Sequence, residues 1–185
     1  ASADLLAAED TRSLRRLMEI HGVPLAGRKV LALHDHSGTS VQERLIAAIQ
    51  EGKSVAYASE AGMPLIADPG FELGRAAAAA GVMLTCAPGP SAVLTALALG
   101  GLPTDAFFFA GFLPNSKSAR IAALEKLRDV PGTLVFYESP KRLGAMLRDA
   151  ATALGAERQA AMCRELTKKF EEVQRDTLEN LAEFY

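Results

Sequence analysis

SEAGMPLIADPG, residues 59–70, separates an apolar run, KSVAYA (53–58), from a helical one, FELGRAAAAA (71–80). It therefore reads as a strand-to-helix loop holding two Gly, two Pro, Glu60 and Asp68. Glycine permits backbone angles and close approaches that side chains forbid, and Pro64 and Pro69 set the path of the chain. Such a loop is either a tight structural turn or a preformed ligand cradle. Loops at the carboxyl ends of parallel strands are where open α/β sheets bind ligands.

The pattern continues on both sides. ADLLAA enters as a strand and leads through AEDTR into a helix near Ser13–Ile20. RKVLALHDH is a strand, and VQERLIAAIQEG repeats Val41, Leu45, Ile46 and Ile49 at helical spacing before stopping at Gly52. VMLTCAP is predicted as the next strand, and PGPSAVLTALALGG as a loop opening a helix. Alternating strands and helices at this spacing imply a parallel sheet covered on both faces. An α/β sheet whose first strand comes unaccompanied also leads us to expect a missing leading βα unit.

Turn formers cluster in GGLPTD (100–105), the expected boundary between an N-terminal α/β domain, 1–103, and a C-terminal α/β domain, 104–185. Beyond it lie a strand, FFFAGFLP, an amphipathic helix, SKSARIAALEKLRD, and a strand, TLVFYES. The helix PKRLGAMLRDAATALG, the strand RQAAMCREL and a strand or helix KKFEEVQRD follow. Asp176 with Glu179 three residues later resembles a capping box opening the last helix.

Composition bounds the function. The chain has 185 residues, is 49% hydrophobic and 23% charged, and carries a formal net charge of −2, so no global field draws it to nucleic acid. Nucleic-acid binding would need a local basic patch. No apolar run approaches the roughly 20 residues of a membrane span. Asp4, Glu9 and Asp10 stand where a secretory leader would carry positive charge. The two cysteines, Cys86 and Cys163, lie in apolar runs and read as buried reduced thiols of a cytoplasmic protein.

Several constellations invite chemistry. APGPSA (87–92) is a second Gly/Pro strand-end loop, and its helix would start near Pro90 or Ser91 with free amide donors. It reads as simple capping or, beside the first loop, as part of one ligand crevice. No G-x-G-x-x-G and no G-x-x-x-x-G-K-[ST] occurs. His34, Asp35 and His36 could place two rings on one strand face, but no second ligand cluster supports a metal, and a polar loop end is the preferred reading. Lys117, Arg120, Lys141, Arg142, Arg164, Lys168 and Lys169 gather in the second half, several at strand ends, where they would attract phosphate or simply be solvated. In AEDTR, Asp10 or Thr11 would cap the following helix.

Six stretches, AEDTR, SEAGMPLIADPG, APGPSA, GLPTDAFFFAGFLP, FYESPKRL and RELTKKFEE, stand in the order seen in the ribosomal RNA small subunit methyltransferase I family. Over nearly its whole length the chain resembles that family of the tetrapyrrole-methylase class. The resemblance implies a two-domain tetrapyrrole-methylase-like fold, with a parallel-sheet N-terminal domain, a mixed-sheet C-terminal domain and S-adenosylmethionine in the cleft between them. It implies a cytoplasmic homodimer that 2′-O-methylates a cytidine in the decoding region of 16S ribosomal RNA within the 30S subunit, with no metal and no membrane.

On this resemblance Ser59, Glu60, Ala61, Gly62 and Pro64, with Pro88, Gly89, Pro90, Ser91 and Ala92, are expected to contact the cofactor. Glu9, Asp10, Arg12, Lys117, Arg120, Lys141, Arg142 and Lys169 are expected on the RNA side. Arg164, Glu165 and Lys168 are the catalytic candidates, with Glu138 in reserve. The chain departs from the family at Glu60, where Asp is common, at Met63, where Thr is common, and at Lys141, where His is common. It also begins after the family's usual first strand and Pro-Thr-Pro-Ile-Gly-Asn loop, and residues that typically follow at the carboxyl end are absent. Two rival readings are a methyltransferase of the same class acting on a tetrapyrrole or other small substrate, and a non-catalytic RNA-binding module.

Overall fold

A computed structural model describes residues 2–33 and 39–185; His34, Asp35 and His36 lie outside the described residues. The chain divides into two compact units, Ala1–Pro90 and Ser91–Tyr185.

In the first unit three short strands form a parallel sheet in the order β2-β1-β3. The central strand β1 (Leu5–Ala8) pairs with β2 (Val30–Ala32) on one side and β3 (Val55–Ala58) on the other. Each strand is followed by a helix, α1 (Thr11–Ile20), α2 (Thr39–Gln50) and α3 (Phe71–Ala79), as the alternating pattern requires. Ala7, Leu33, Leu45 and Leu73 form the core, with Leu31, Val41, Ile46, Val55 and Tyr57 packed around them. Small residues in β1 let helices approach the sheet closely, which explains why a strand as bland as LLAA sits at the centre.

The predicted strand VMLTCAP is not in this sheet. Residues 82–90 run without ladder pairing, and Met83 (91% exposed) and Leu84 (65%) face water. A strand exists only where a neighbour takes its amides and carbonyls, and none of the three strands pairs with this segment. Its Cys86 is exposed rather than buried as expected, because the apolar run around it has nothing to pack on.

The second unit opens with α4 (Ala92–Gly100), which packs on the later hairpin. That packing is why α4 groups with this unit, although GGLPTD lies after it. Strands β4 (Phe107–Phe112) and β5 (Thr133–Tyr137) pair in parallel with α5 (Lys117–Leu127) between them in sequence. Helix α6 (Leu143–Leu154) leads to an antiparallel hairpin of β6 (Gln159–Arg164) and β7 (Glu172–Thr177), and α7 (Leu178–Phe184) closes the unit. KKFEEVQRD thus resolves into a turn and a strand. The last helix is capped one residue later than expected: Thr177 Oγ1 accepts from the Asn180 amide, and Asp176 Oδ1 accepts from Asn180 Nδ2 at 2.7 Å. Parallel and antiparallel sheets covered by helices bear out the α/β class.

Leu113, Leu124, Met146, Leu147, Ala150, Ala153, Leu178 and Leu181 make the second core. Leu124 is fully buried within it, and Leu124→Ala is expected to cost about 2–5 kcal/mol. Gly132 has φ +113°, and a Cβ there would stand 2.5 Å from the Ala106 carbonyl oxygen. Gly132→Ala is therefore expected to lower stability as well. Urea unfolding should show both as lowered midpoints at unchanged slope.

Candidate functional site

Because β1 and β3 are parallel and in register, Ala8 opposite Ala58, the segments that leave their carboxyl ends emerge together. Glu9 and Asp10 leave from one, Ser59 and Glu60 from the other. Asp10 is the N-cap of α1: its Oδ1 accepts from the Arg12 amide at 2.7 Å. The Arg12 side chain turns back onto the same carboxylate, with Nε 3.2 Å from Oδ1 and Nη2 3.0 Å from Oδ2. Those contacts, side chain first and amide second, hold the Asp10 pKa down at about 2. Arg12 is itself highly exposed, and Glu60 adds to the field that keeps it protonated.

The 59–70 loop is a built object. Ser59 Oγ donates to the Gly62 carbonyl at 3.1 Å, closing its first turn. Gly62 (φ +72°), Leu65 (+69°) and Ala67 (+55°) all take the left-handed conformation, strained for the two that are not glycine. At its far end Tyr57 Oη donates to the Pro69 carbonyl at 2.6 Å. The same ring lies 3.0 Å from where a Cβ on Gly70 would be, so only glycine lets the loop re-enter the core here.

The second Gly/Pro segment comes up against this loop. The Gly89 amide donates to the Met63 thioether sulfur at 3.1 Å, and a Cβ on Gly62 would meet the Pro90 carbonyl oxygen at 3.4 Å. The two expected cofactor segments are thus brought together within the first unit. Met63, one of the residues that departs from the family pattern, links them and occupies the Gly89 donor. Ser91 and Ala92 begin the second unit, with Ser91 the N-cap of α4 but making no side-chain cap. Asp68 Oδ2 is buried with no hydrogen-bond partner among the described residues. Sequence reasoning noted Asp68 but gave it no role. Within the first unit, a braced strand-end loop with glycine at Gly62 and a buried acceptor without a partner among the described residues fits a polar ligand.

In the second unit the carboxyl ends of β4 and β5 are tied by two arginines. Arg120 is buried: its Nη2 lies 2.6 Å and its Nε 2.7 Å from Asp149 Oδ2, and its Nη1 donates to the Asn115 carbonyl at 3.0 Å. Arg142 donates to the Leu113 carbonyl at 2.8 Å and to Asn115 Oδ1, and stands 3.0 Å from the buried Glu138 carboxylate. Arg120 was expected to face RNA. A guanidinium this deep, spent on a carboxylate and two carbonyls, instead shapes the Leu113–Ser116 loop. Lys117, the first residue of α5, and Lys141, shortly before α6, remain exposed.

The three catalytic candidates share the β6–β7 hairpin. Arg164 Nε donates to Glu172 Oε2 at 2.5 Å across the register pair, and Lys168 Nζ lies 3.2 Å from Glu165 Oε1. The other Glu172 oxygen accepts from Tyr185 Oη at 2.7 Å. Burial first and this bond second push the Tyr185 phenol up to about 12. Glu172 and Tyr185 escaped sequence reasoning; only the hairpin register, which needs the turn length, puts residue 172 opposite 164.

Comparison with known proteins supplies the family. The tetrapyrrole (corrin/porphyrin) methylase profile matches residues 1–182. The chain belongs to this family. It is 49% identical over 185 residues to the ribosomal RNA small subunit methyltransferase I of Mesorhizobium japonicum, covering 100% of this chain and 62% of that protein. It is 48% identical over 182 residues to the protein of the same name from Mycobacterium tuberculosis H37Rv, covering 98% and 64%. The chain therefore spans a little under two thirds of the length of these relatives. The crystal structure of the methyltransferase CobJ superposes with a TM-score of 0.62 at 18% identity, covering 97% of this chain and 88% of that one. That likeness shows the fold. Among the described residues no helix is long and apolar enough to cross a membrane, and no group of three His, Cys, Asp or Glu is placed to hold a metal.

Two outcomes are expected. Asp149→Ala leaves the Arg120 charge buried and unpaired, a loss of about 3–5 kcal/mol, read by denaturant unfolding. Asp10, ordinarily near 3.8, has a lowered folded-state value, so its stabilisation of α1 is present above the ordinary value and lost only as pH falls through about 2. Arg12→Ala should move that titration upward, read from the Asp10 carboxyl carbon by NMR.

Proposed function

We propose that the protein is a cytoplasmic S-adenosylmethionine-dependent methyltransferase that modifies the ribose 2′-oxygen of a cytidine in the decoding region of 16S ribosomal RNA, with the 30S subunit as substrate and a homodimer as the working form. The observation that carries this reading is the 49% identity, along the whole chain, to a protein named ribosomal RNA small subunit methyltransferase I. The arrangement of the loops supports it.

The cofactor, when bound, supplies an electrophilic methyl group on a sulfonium. Holding it falls to Ser59, Glu60, Ala61, Gly62 and Pro64, and to Pro88, Gly89, Pro90, Ser91 and Ala92. Gly62 keeps backbone within reach of the ligand, and Asp68 offers an acceptor without a partner among the described residues. The protein's main contribution is alignment, since bringing two reactants together in line removes much of the barrier. A 2′-hydroxyl is a weak acid, so its proton needs an acceptor or its developing charge a cation. Glu165 takes the first role. Lys168 and Arg164 take the second, with Glu172 holding the Arg164 guanidinium in place. Arg12, Lys117, Lys141 and Lys169 carry exposed positive charge for phosphates, with Asp10 holding the Arg12 side chain and Glu9 preceding it in the same segment. Arg142 acts through the strand-end loops it ties, and Arg120 through the loop it anchors.

The deciding measurement is methyl transfer from radiolabelled cofactor to 30S subunits and, in parallel, to naked 16S RNA and a tetrapyrrole, followed by mapping of the label. A single 2′-O-methylcytidine in the decoding region is expected. Label in the tetrapyrrole alone would sink the RNA reading, and no heat with S-adenosylmethionine in a calorimeter would sink the enzyme reading. Gly62→Val, at φ +72° with a neighbouring carbonyl in contact range, is expected to weaken cofactor binding at least about tenfold in the same calorimeter.

A further inference from the structure

The turn that joins β6 to β7, Glu165 to Glu171, holds an aromatic ring out in water. Phe170 is 72% exposed, and the ammonium of Lys169 lies 5.4 Å from its ring centroid. The turn beneath is braced rather than loose. The Lys168 amide donates to the Glu165 carbonyl at 3.0 Å and the Glu171 amide to the Lys168 carbonyl at 3.2 Å. Glu171 Oε2 accepts from the Thr167 amide at 2.7 Å. Glu165 (φ +49°) and Thr167 (+64°) both take left-handed backbone, which is costly for a β-branched residue and persists only where the surroundings enforce it.

The charges around the ring are sorted. Glu165 is paired with Lys168, Glu171 is turned inward onto the Thr167 amide, and Glu172 is spent on Arg164 and Tyr185. Lys169 has no carboxylate partner among the described residues and stands against the ring face. An exposed aromatic plane with a free cation beside it, on a preorganised hairpin tip, is the arrangement that binds a base of single-stranded nucleic acid by stacking while the cation meets its phosphate. A protein partner would be expected to meet an apolar patch, whereas here one ring stands among lysines.

We propose that Phe170 is a stacking platform for an unpaired nucleobase of the RNA substrate, with Lys169 contacting the adjoining phosphate. This rests on the ribosomal RNA reading above, and it places a base-binding residue beside the three catalytic candidates on one hairpin. The site would take a flipped or single-stranded nucleotide and would not read a paired one.

The test compares wild type, Phe170→Ala, Phe170→Leu and Phe170→Trp in the full-length protein. Methylation of 30S subunits gives KM for 30S and for S-adenosylmethionine separately, and a short oligocytidylate serves as the binding probe. The chain contains no tryptophan, so Phe170→Trp introduces a local reporter. Expected are a loss of roughly 5- to 100-fold in RNA affinity for Ala and Leu, near-wild-type affinity for Trp, and an unchanged KM for the cofactor. The tryptophan emission should be quenched at saturating oligocytidylate. Leu binding as well as Phe, unchanged binding by Ala, or unquenched tryptophan would each overturn the proposal while leaving the methyltransferase reading standing. So would a change of oligomeric state in Phe170→Ala with RNA affinity intact. Wild type that neither binds RNA nor labels 30S would overturn both.

Discussion

The parallel pairing of β1 with β3 is the constraint from which the first unit follows. With Ala8 opposite Ala58, two chain segments leave the sheet at one edge and in one direction, so whatever follows them must share space. Asp10, Arg12, Ser59 and Glu60 are neighbours for that reason alone. The loop after β3 is then pinned at both ends, by Ser59 on the Gly62 carbonyl and by Tyr57 on the Pro69 carbonyl. Two left-handed non-glycine residues are held in between. Strain of that kind survives only on a rigid support, and the core of Ala7, Leu33, Leu45 and Leu73 is the support.

The second unit solves a similar problem with charge. Its β4 and β5 are also parallel, but their strand-end loops are held by guanidinium groups rather than by tight apolar packing. Arg120 and Arg142 each reach carbonyls of the Leu113–Asn115 segment from a helix and from a helix N-cap respectively. Each is compensated by a buried carboxylate, Asp149 or Glu138. A buried charge pair is a poor source of net stability, yet it fixes geometry, since removing either partner strands the other. The hairpin uses the same device at its surface, where Glu172 joins Arg164 to Tyr185.

Much of this is legible in the amino-acid sequence alone. Alternation of apolar runs with amphipathic segments is a local signal, and it yielded the order of nearly every element and the α/β class. The two Gly/Pro loops stood out because their residue types permit few backbones. Asp10 as a cap was readable from its place before a helical run. What misled was equally physical. VMLTCAP has the composition of a buried strand, but composition does not supply a partner, and without one the segment stays extended and exposed. Arg120 looked like its exposed neighbours Lys117 and Lys141, because a helical pattern shows which face a residue occupies and not what lies across from it.

The chain by itself determined the elements, their order, the loops with restricted backbones and the motifs that mark the family, because each of these depends on residues close together in sequence. Tertiary structure alone decided which charges are available. Arg120 is buried on Asp149, Arg164 is held in place by Glu172, and the Gly89 amide is taken by Met63, pairings that join residues from 8 to 29 positions apart. Such partners are chosen by strand register and helix packing. These long-range contacts leave Lys169 and Phe170 facing outward together on a braced turn.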